Sequence, residues 1–121
     1  MIKKHVFTFQ NALSGIIWTF KTQNNIRIHL FFSALALIGG FVLKISTLEF
    51  FVILVLIGGG LAIETLNTAI EEAIDAIHKD WSEEIKIAKD VSAGAMLIFA
   101  LTALFIAGFI FIPKIFSLFT L

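Results

Sequence analysis

Charged residues along this chain fall in clusters, and the apolar runs between the clusters set its architecture. Val91 to Ile112 is twenty-two residues without a charge, long enough as a helix to cross a hydrocarbon core about 30 Å thick. Ile28 to Leu43 is a second apolar run, with Gly39 and Gly40 near its far end. A third, Phe50 to Ile63, holds fourteen uncharged residues and passes directly into Glu64-Thr-Leu-Asn67-Thr68-Ala-Ile-Glu71-Glu72-Ala-Ile-Asp75. No turn residue separates the apolar half from the acidic half, so one helix covers both. Ahead of the first run, Val6, Phe9, Leu13, Ile16, Ile17 and Phe20 recur at helical spacing. Residues 1–29 carry Lys3, Lys4, Lys21 and Arg27 and no acid. A basic helix with one apolar face lies in the membrane interface, a depth that suits Trp18.

The pattern predicts an all-α integral membrane protein forming a single domain over residues 1–121. It comprises an N-terminal amphipathic surface helix over about 3–21 and three transmembrane helices over about 28–43, 50–77 and 91–112. Gln23, Asn24 and Asn25 mark a bend, Lys44 to Glu49 a short turn, and Ala76 to Asp90 a polar loop.

Composition supports this class. With 59% hydrophobic residues in 121, the chain carries more apolar surface than a soluble core of that size can bury. A net charge of zero offers no basic surface for nucleic acid. The absence of cysteine removes disulfides, thiol nucleophiles and thiolate metal sites. His5, His29 and His78 are scattered without ligand spacing. Lys and Arg number four in the N-terminal segment and three after the second span, against Lys44 and Lys114 on the other side. The positive-inside rule then puts the N-terminus and the polar loop in the cytoplasm, in a multi-pass protein of the cytoplasmic (inner) membrane.

The acidic stretch carries the candidate chemistry. At about 100° per residue, Glu64, Asn67, Glu71 and Asp75 fall near 0°, 300°, 340° and 20°, one narrow stripe with Thr68 beside it and Glu72 off it. The fourteen apolar residues before Glu64 rise only about 21 Å, so Glu64 lies within or just at the membrane boundary. An ionisable residue there marks a functional site. Glu64 and Glu71 are roughly 10 Å apart along the axis and need not share an ion: the spacing allows one to hold Mg²⁺ while the other handles a substrate proton. Mg²⁺ favours a few carboxylates completed by substrate phosphates and water. Phosphoryl transfer asks mainly for positioning, a metal, a cation and a base, and Lys89 supplies a cation at the head of the third span. No GxxxxGK[ST] phosphate loop is present, so a nucleotide site must be of another design. On the residues alone, Lys89 and Asp90 also fit a simple anchor of the third span, Asp75 a structural ion-pair partner, and Gly58 to Gly60 plain helix packing or the seat of another subunit.

The run Glu64-Thr-Leu-Asn67-Thr68-Ala-Ile-Glu71-x-x-Ile-Asp75 resembles the signature E-x-[LIVM]-N-[ST]-[SA]-[LIV]-E-x-x-[VI]-D of the prokaryotic diacylglycerol kinase family. Ala88-Lys89-Asp90 followed by small residues looks like that family's second landmark. Gly15 and Asn25-x-Arg27-x-His29 are similar to its Gram-positive branch, the undecaprenol kinases. The resemblance covers nearly the whole chain. It implies a homotrimer with active sites between neighbouring subunits at the cytoplasmic interface, moving the ATP γ-phosphate to a lipid hydroxyl with Mg²⁺. Undecaprenol is the favoured acceptor over diacylglycerol. By position, Glu64 is the general base, Glu71 a metal ligand, and Asn67, Asn25 and Arg27 belong to the substrate end. Lys89, Asp90, Asp80, Trp81 and Ser82 contact ATP, with Lys4 as a further candidate outside the motif. Gln23 stands where the family places a second metal-binding glutamate, which leaves the metal site one charge short. Two competing readings of the same residues are a small proton-coupled transporter using Glu64 and a non-catalytic membrane protein retaining the fold.

Overall fold

The computed structural model describes residues 2–120, with side chains from His5 onward; the Lys4 side chain lies outside the described residues. Four helices follow in order: α1 (Ile2–Thr22), α2 (Asn24–Val42), α3 (Thr47–Ile77) and α4 (Glu83–Phe119). Among the described residues there is no strand, and α2, α3 and α4 are each long and apolar enough to cross a membrane. α3 is flanked by α2 and α4, and α1 touches both α2 and α3.

The helices run further than the apolar runs do, for reasons written at their ends. α3 begins three residues ahead of Phe50 because Ser46-Thr-Leu-Glu49 is a capping box. Ser46 Oγ accepts from the Glu49 N–H (3.2 Å) and the Glu49 carboxylate accepts from the Ser46 N–H (2.6 Å), satisfying two otherwise orphaned donors. The stretch expected as a loop over Ala76 to Asp90 is mostly helix. Only His78 to Ser82 separates α3 from α4. Ser82 caps α4 by accepting from the Ile85 N–H at 3.3 Å, Glu83 and Glu84 stand in its first turn, and Lys86 pairs with Asp90 one turn on. Acids near a helix N-terminus and ion pairs four residues apart both favour helix, so polarity there marks a helix leaving the membrane and not a loop. Pro113 lies inside α4, a position that membrane helices tolerate when neighbours satisfy the freed carbonyl.

The α1–α2 bend is confined to Gln23, whose extended backbone (φ −97°, ψ 119°) interrupts an otherwise helical path. The Gln23 N–H donates to the Thr19 carbonyl (2.9 Å), and Arg27 donates to the Lys21 carbonyl (2.7 Å), which satisfies an acceptor at the end of α1. Ile26 and Thr19 are buried in this corner. α2 ends in a Schellman arrangement: the Ile45 N–H reaches the Gly40 carbonyl (3.1 Å) and the Lys44 N–H that of Phe41 (3.3 Å). Lys44 takes the left-handed conformation at φ 52°.

α3 and α4 are tied at both ends. Lys89 meets Asp75 at 2.5 Å at one end, and Lys114 approaches Glu49 at 3.8 Å at the other. Between the two links the glycines let the helices close. A Cβ on Gly59 would lie 3.0 Å from the Phe99 ring of α4, and one on Gly60 would meet both Phe99 (3.0 Å) and His29 Nε2 of α2 (2.9 Å). Gly58 has open space. Two of the three glycines are therefore spent on packing within the chain, and Gly58 alone of them faces outward.

Candidate functional site

The acidic stripe of α3 descends from cover to solvent. Glu64, Asn67 and Thr68 are 3%, 7% and 4% exposed, Glu71 is half-buried, and Asp75 is exposed. This gradient follows from geometry: the stripe faces α4 and α2 where the three helices are close and passes beyond α2 as it leaves the bundle. Among the described residues nothing donates a hydrogen bond to the Glu64 carboxylate, and no described buried side-chain oxygen is left without access or partner. Its oxygens are thus free to accept a proton from an incoming group. An ionisable side chain this deep in a membrane helix is characteristic of functional sites.

One turn further, Asn67 is fixed by two hydrogen bonds. Ser92 Oγ on α4 donates to Asn67 Oδ1 (2.7 Å), and Asn67 Nδ2 donates to Glu71 Oε1 (3.2 Å). Another turn on, Lys89 donates to Asp75 Oδ1 at 2.5 Å. Lys89 and Ser92 are three residues apart on α4 and share a face. They bracket Glu71 with one cross-helix link on each side. The structure thus links Ser92, Asn67 and Glu71 in one chain of hydrogen bonds and Lys89 with Asp75 in another, with Glu64 on the same face of α3 one turn before Asn67.

The remaining candidates sit around this group without joining it. Asp90 is exposed and held by Lys86. Asp80 and Trp81 are exposed in the α3–α4 connection, and Ser82 is engaged as the α4 cap. Asn25 is exposed, Arg27 is turned back to the end of α1, and the half-buried Gln23 side chain makes no hydrogen bond among the described residues. No three His, Asp or Glu side chains converge in the described residues. Glu71 is half-buried, with one carboxylate oxygen engaged by Asn67 and the other left to take a ligand such as a divalent cation. That suits a hard cation completed by phosphate oxygens and water, as Mg²⁺ prefers, and not a closed protein cage.

Sequence reasoning missed two participants. Ser92 reads as one small residue among Ser92, Ala93, Gly94 and Ala95; the available signal was its position three residues after Lys89, which puts it on the same helix face. His29 reads as part of a motif before the first span, whereas its imidazole packs on Gly60, one turn before Glu64. From His29 a groove of about 580 Å³ runs between α2, α3 and α4, lined by Ser33, Ala36, Ile57, Phe99 and Ala103 and reaching Leu43 and Ile115.

Comparison with known proteins identifies the family. Residues 10–111 match the family model described as prokaryotic diacylglycerol kinase. The chain is 39% identical over 108 residues to the undecaprenol kinase of Bacillus subtilis, covering 89% of this chain and 88% of that one. It is 32% identical over 112 residues to a diacylglycerol kinase of Synechocystis, covering 92% of this chain and 64% of that longer protein. No solved structure matches the chain. A family match over most of its length, two lipid-kinase relatives and three membrane-length helices converge: the chain belongs to the prokaryotic diacylglycerol kinase family and is a membrane lipid kinase.

Proposed function

We propose that the protein transfers the γ-phosphate of ATP to the hydroxyl of a membrane lipid alcohol, with undecaprenol preferred over diacylglycerol, at a site where Glu64 is the general base. The observation that carries this reading is the burial gradient along α3. It puts a partnerless carboxylate at the covered end, where a lipid hydroxyl arrives from the membrane. The polar groups Glu71, Asp75 and Lys89 stand at the open end, where a nucleotide arrives from water.

In this reading the lipid O–H donates to Glu64, and its oxygen attacks the γ-phosphorus as the bond to the β–γ bridging oxygen breaks. ADP leaves and Glu64 holds the proton. Glu71 would hold Mg²⁺, which when bound would supply positive charge to stabilise the transferring phosphate. Lys89, steadied by Asp75, faces the phosphates, and Asp90, Asp80, Trp81 and Ser82 are at hand for the rest of the nucleotide. Gln23 contributes at most a neutral oxygen, which leaves the protein's share of the metal charge to Glu71.

The groove suits an apolar acceptor. His29 to Leu43 spans about 21 Å of helix, and the groove along it is lined mainly by apolar side chains, a surface that a hydrocarbon chain can cover. The choice of a polyprenyl alcohol over a diacylglycerol follows the likeness to an undecaprenol kinase. A homotrimer is supported by the outward stripe of α3, where Gly58, Ala62, Ala69 and Ala73 lie exposed at helical spacing together with the larger Val55 and Leu66. Small residues of this kind let another membrane helix approach closely. The lysines and arginine of the N-terminal segment and of the α3–α4 region support a cytoplasmic side for both, and the apolar face of α1 supports a position in the interface.

The test is transfer of labelled γ-phosphate from ATP to undecaprenol, a short polyprenol and diacylglycerol in mixed micelles with Mg²⁺. Phosphorylated polyprenol at a higher kcat/KM than diacylglycerol is expected. A preference for diacylglycerol would overturn the acceptor, and no transfer to any alcohol would overturn the reaction.

A further inference from the structure

Hydroxyl side chains within these helices have a common habit. Ser14, Thr19, Ser33, Thr65 and Thr102 each donate to the carbonyl four residues back on their own helix, at 2.7–2.9 Å. Ser92 departs from it: its hydroxyl crosses to α3 and donates to Asn67 Oδ1 at 2.7 Å, with Ser92 and Asn67 both buried (8% and 7% exposed). The local alternative of bonding its own helix is ordinarily available to a serine, so the cross-helix bond is specific to this position.

The consequence runs through Asn67. An ionised carboxylate only accepts hydrogen bonds, so Glu71 requires the Nδ2 end of the amide, which leaves Oδ1 facing α4 and requires a donor there. Ser92 is that donor. Were the amide turned over, Oδ1 would oppose the Glu71 carboxylate, acceptor against acceptor. Each bond therefore holds the other in place, and together they assign Glu71 Oε1 to Asn67 and keep Oε2 free.

We propose that Ser92 is a positioning residue of the phosphoryl-transfer site: by donating to Asn67 it locks the amide that orients Glu71, and so presents one carboxylate oxygen to the divalent cation brought with the nucleotide. The inference rests on the reading of Glu71 as a metal ligand. Partners that orient a metal ligand are commonly worth about tenfold or more in metal affinity or activity.

The matched substitutions are Ser92→Thr and Ser92→Val, nearly equal in shape and differing in the hydroxyl, with Ser92→Ala beside them. Two quantities are measured on detergent-solubilised full-length protein: the half-saturating Mg²⁺ of lipid phosphorylation, and Mn²⁺ binding in the presence of ADP by electron paramagnetic resonance. The second needs no turnover. Ser92→Val and Ser92→Ala are expected to weaken both by about tenfold, while Ser92→Thr, which keeps the donor, stays near wild type in both. Unchanged metal curves for Ser92→Val would overturn the inference, as would equal loss in Thr and Val, which would mean a packing role. A wild type that binds Mn²⁺ with ADP but phosphorylates no lipid would count against the proposed reaction and leave the metal comparison standing.

Discussion

Substituting Gly60 and Gly58 separately by alanine distinguishes packing inside the chain from packing between chains. Both glycines lie inside α3, so each gains roughly the same helix propensity on becoming alanine, about 1 kcal/mol. That term cancels when the two variants are compared. What remains is the new methyl group. At Gly60 it would overlap His29 Cε1 and stand 2.9 Å from His29 Nε2 and 3.0 Å from Phe99 Cε1, while at Gly58 nothing lies within 4 Å. Neither neighbour is the free end of a flexible chain: both are rings wedged between helices, so the helices must move apart. Overpacking of this kind costs about 1–3 kcal/mol. Gly60→Ala should therefore be less stable than Gly58→Ala by about that amount, a factor of about five to one hundred and fifty in the unfolding equilibrium. Unfolding of each variant in mixed micelles, followed by circular dichroism against increasing denaturing detergent, measures the difference. The same samples passed through native mass measurement report assembly, where Gly58→Ala is the variant expected to act. Equal stability of the two variants would refute the intrachain role of Gly60. A monomeric wild type would refute the trimer.

The other perturbations address metal and lipid. Gln23→Glu should lower the half-saturating Mg²⁺ and raise the rate, because a carboxylate is a far better ligand than a neutral amide for this hard cation. Superimposable Mg²⁺ titrations would show that Gln23 stands outside the metal site. Ala103→Trp should fill the groove between α2 and α4 and raise KM for a long polyprenol several-fold while leaving KM for ATP unchanged, by removing apolar area that the chain would otherwise cover. An unaltered lipid KM would mean that the chain lies elsewhere.

Much of this molecule is legible in its sequence because hydrophobic length and the 3.6-residue period act locally. The span from Val91, the continuity of Phe50 through Asp75, and the stripe of Glu64, Asn67, Glu71 and Asp75 all follow from counting residues around a helix. Helix ends were the weaker part. The loop expected over Ala76 to Asp90 is largely the first two turns of α4, since helix outside a membrane is stabilised by caps and ion pairs, and a reading by hydropathy alone stops where the charges begin. The Ser46 to Glu49 capping box was visible as S-x-x-E and sets the true start of α3. Pairing across helices was not legible at all. Nothing in the sequence says that Ser92 reaches Asn67, that Lys89 chooses Asp75, or that His29 settles on Gly60. Each depends on the rotation of one helix about its axis relative to another, which the packing of Phe99 on Gly59 and Gly60 helps to set.

The most direct test of the account is Glu64→Gln. The substitution keeps shape and removes proton acceptance from a side chain that is 3% exposed and has no hydrogen-bond partner among the described residues. General-base catalysis contributes roughly a hundred- to ten-thousand-fold, so kcat for phosphate transfer to a polyprenol should fall by that order. Binding of a fluorescent ATP analogue, measured on the same preparation, should change little, because the groups proposed for the nucleotide lie at the other end of the stripe. Turnover near wild type in the glutamine variant, with nucleotide binding intact, would contradict the central claim that Glu64 takes the lipid proton.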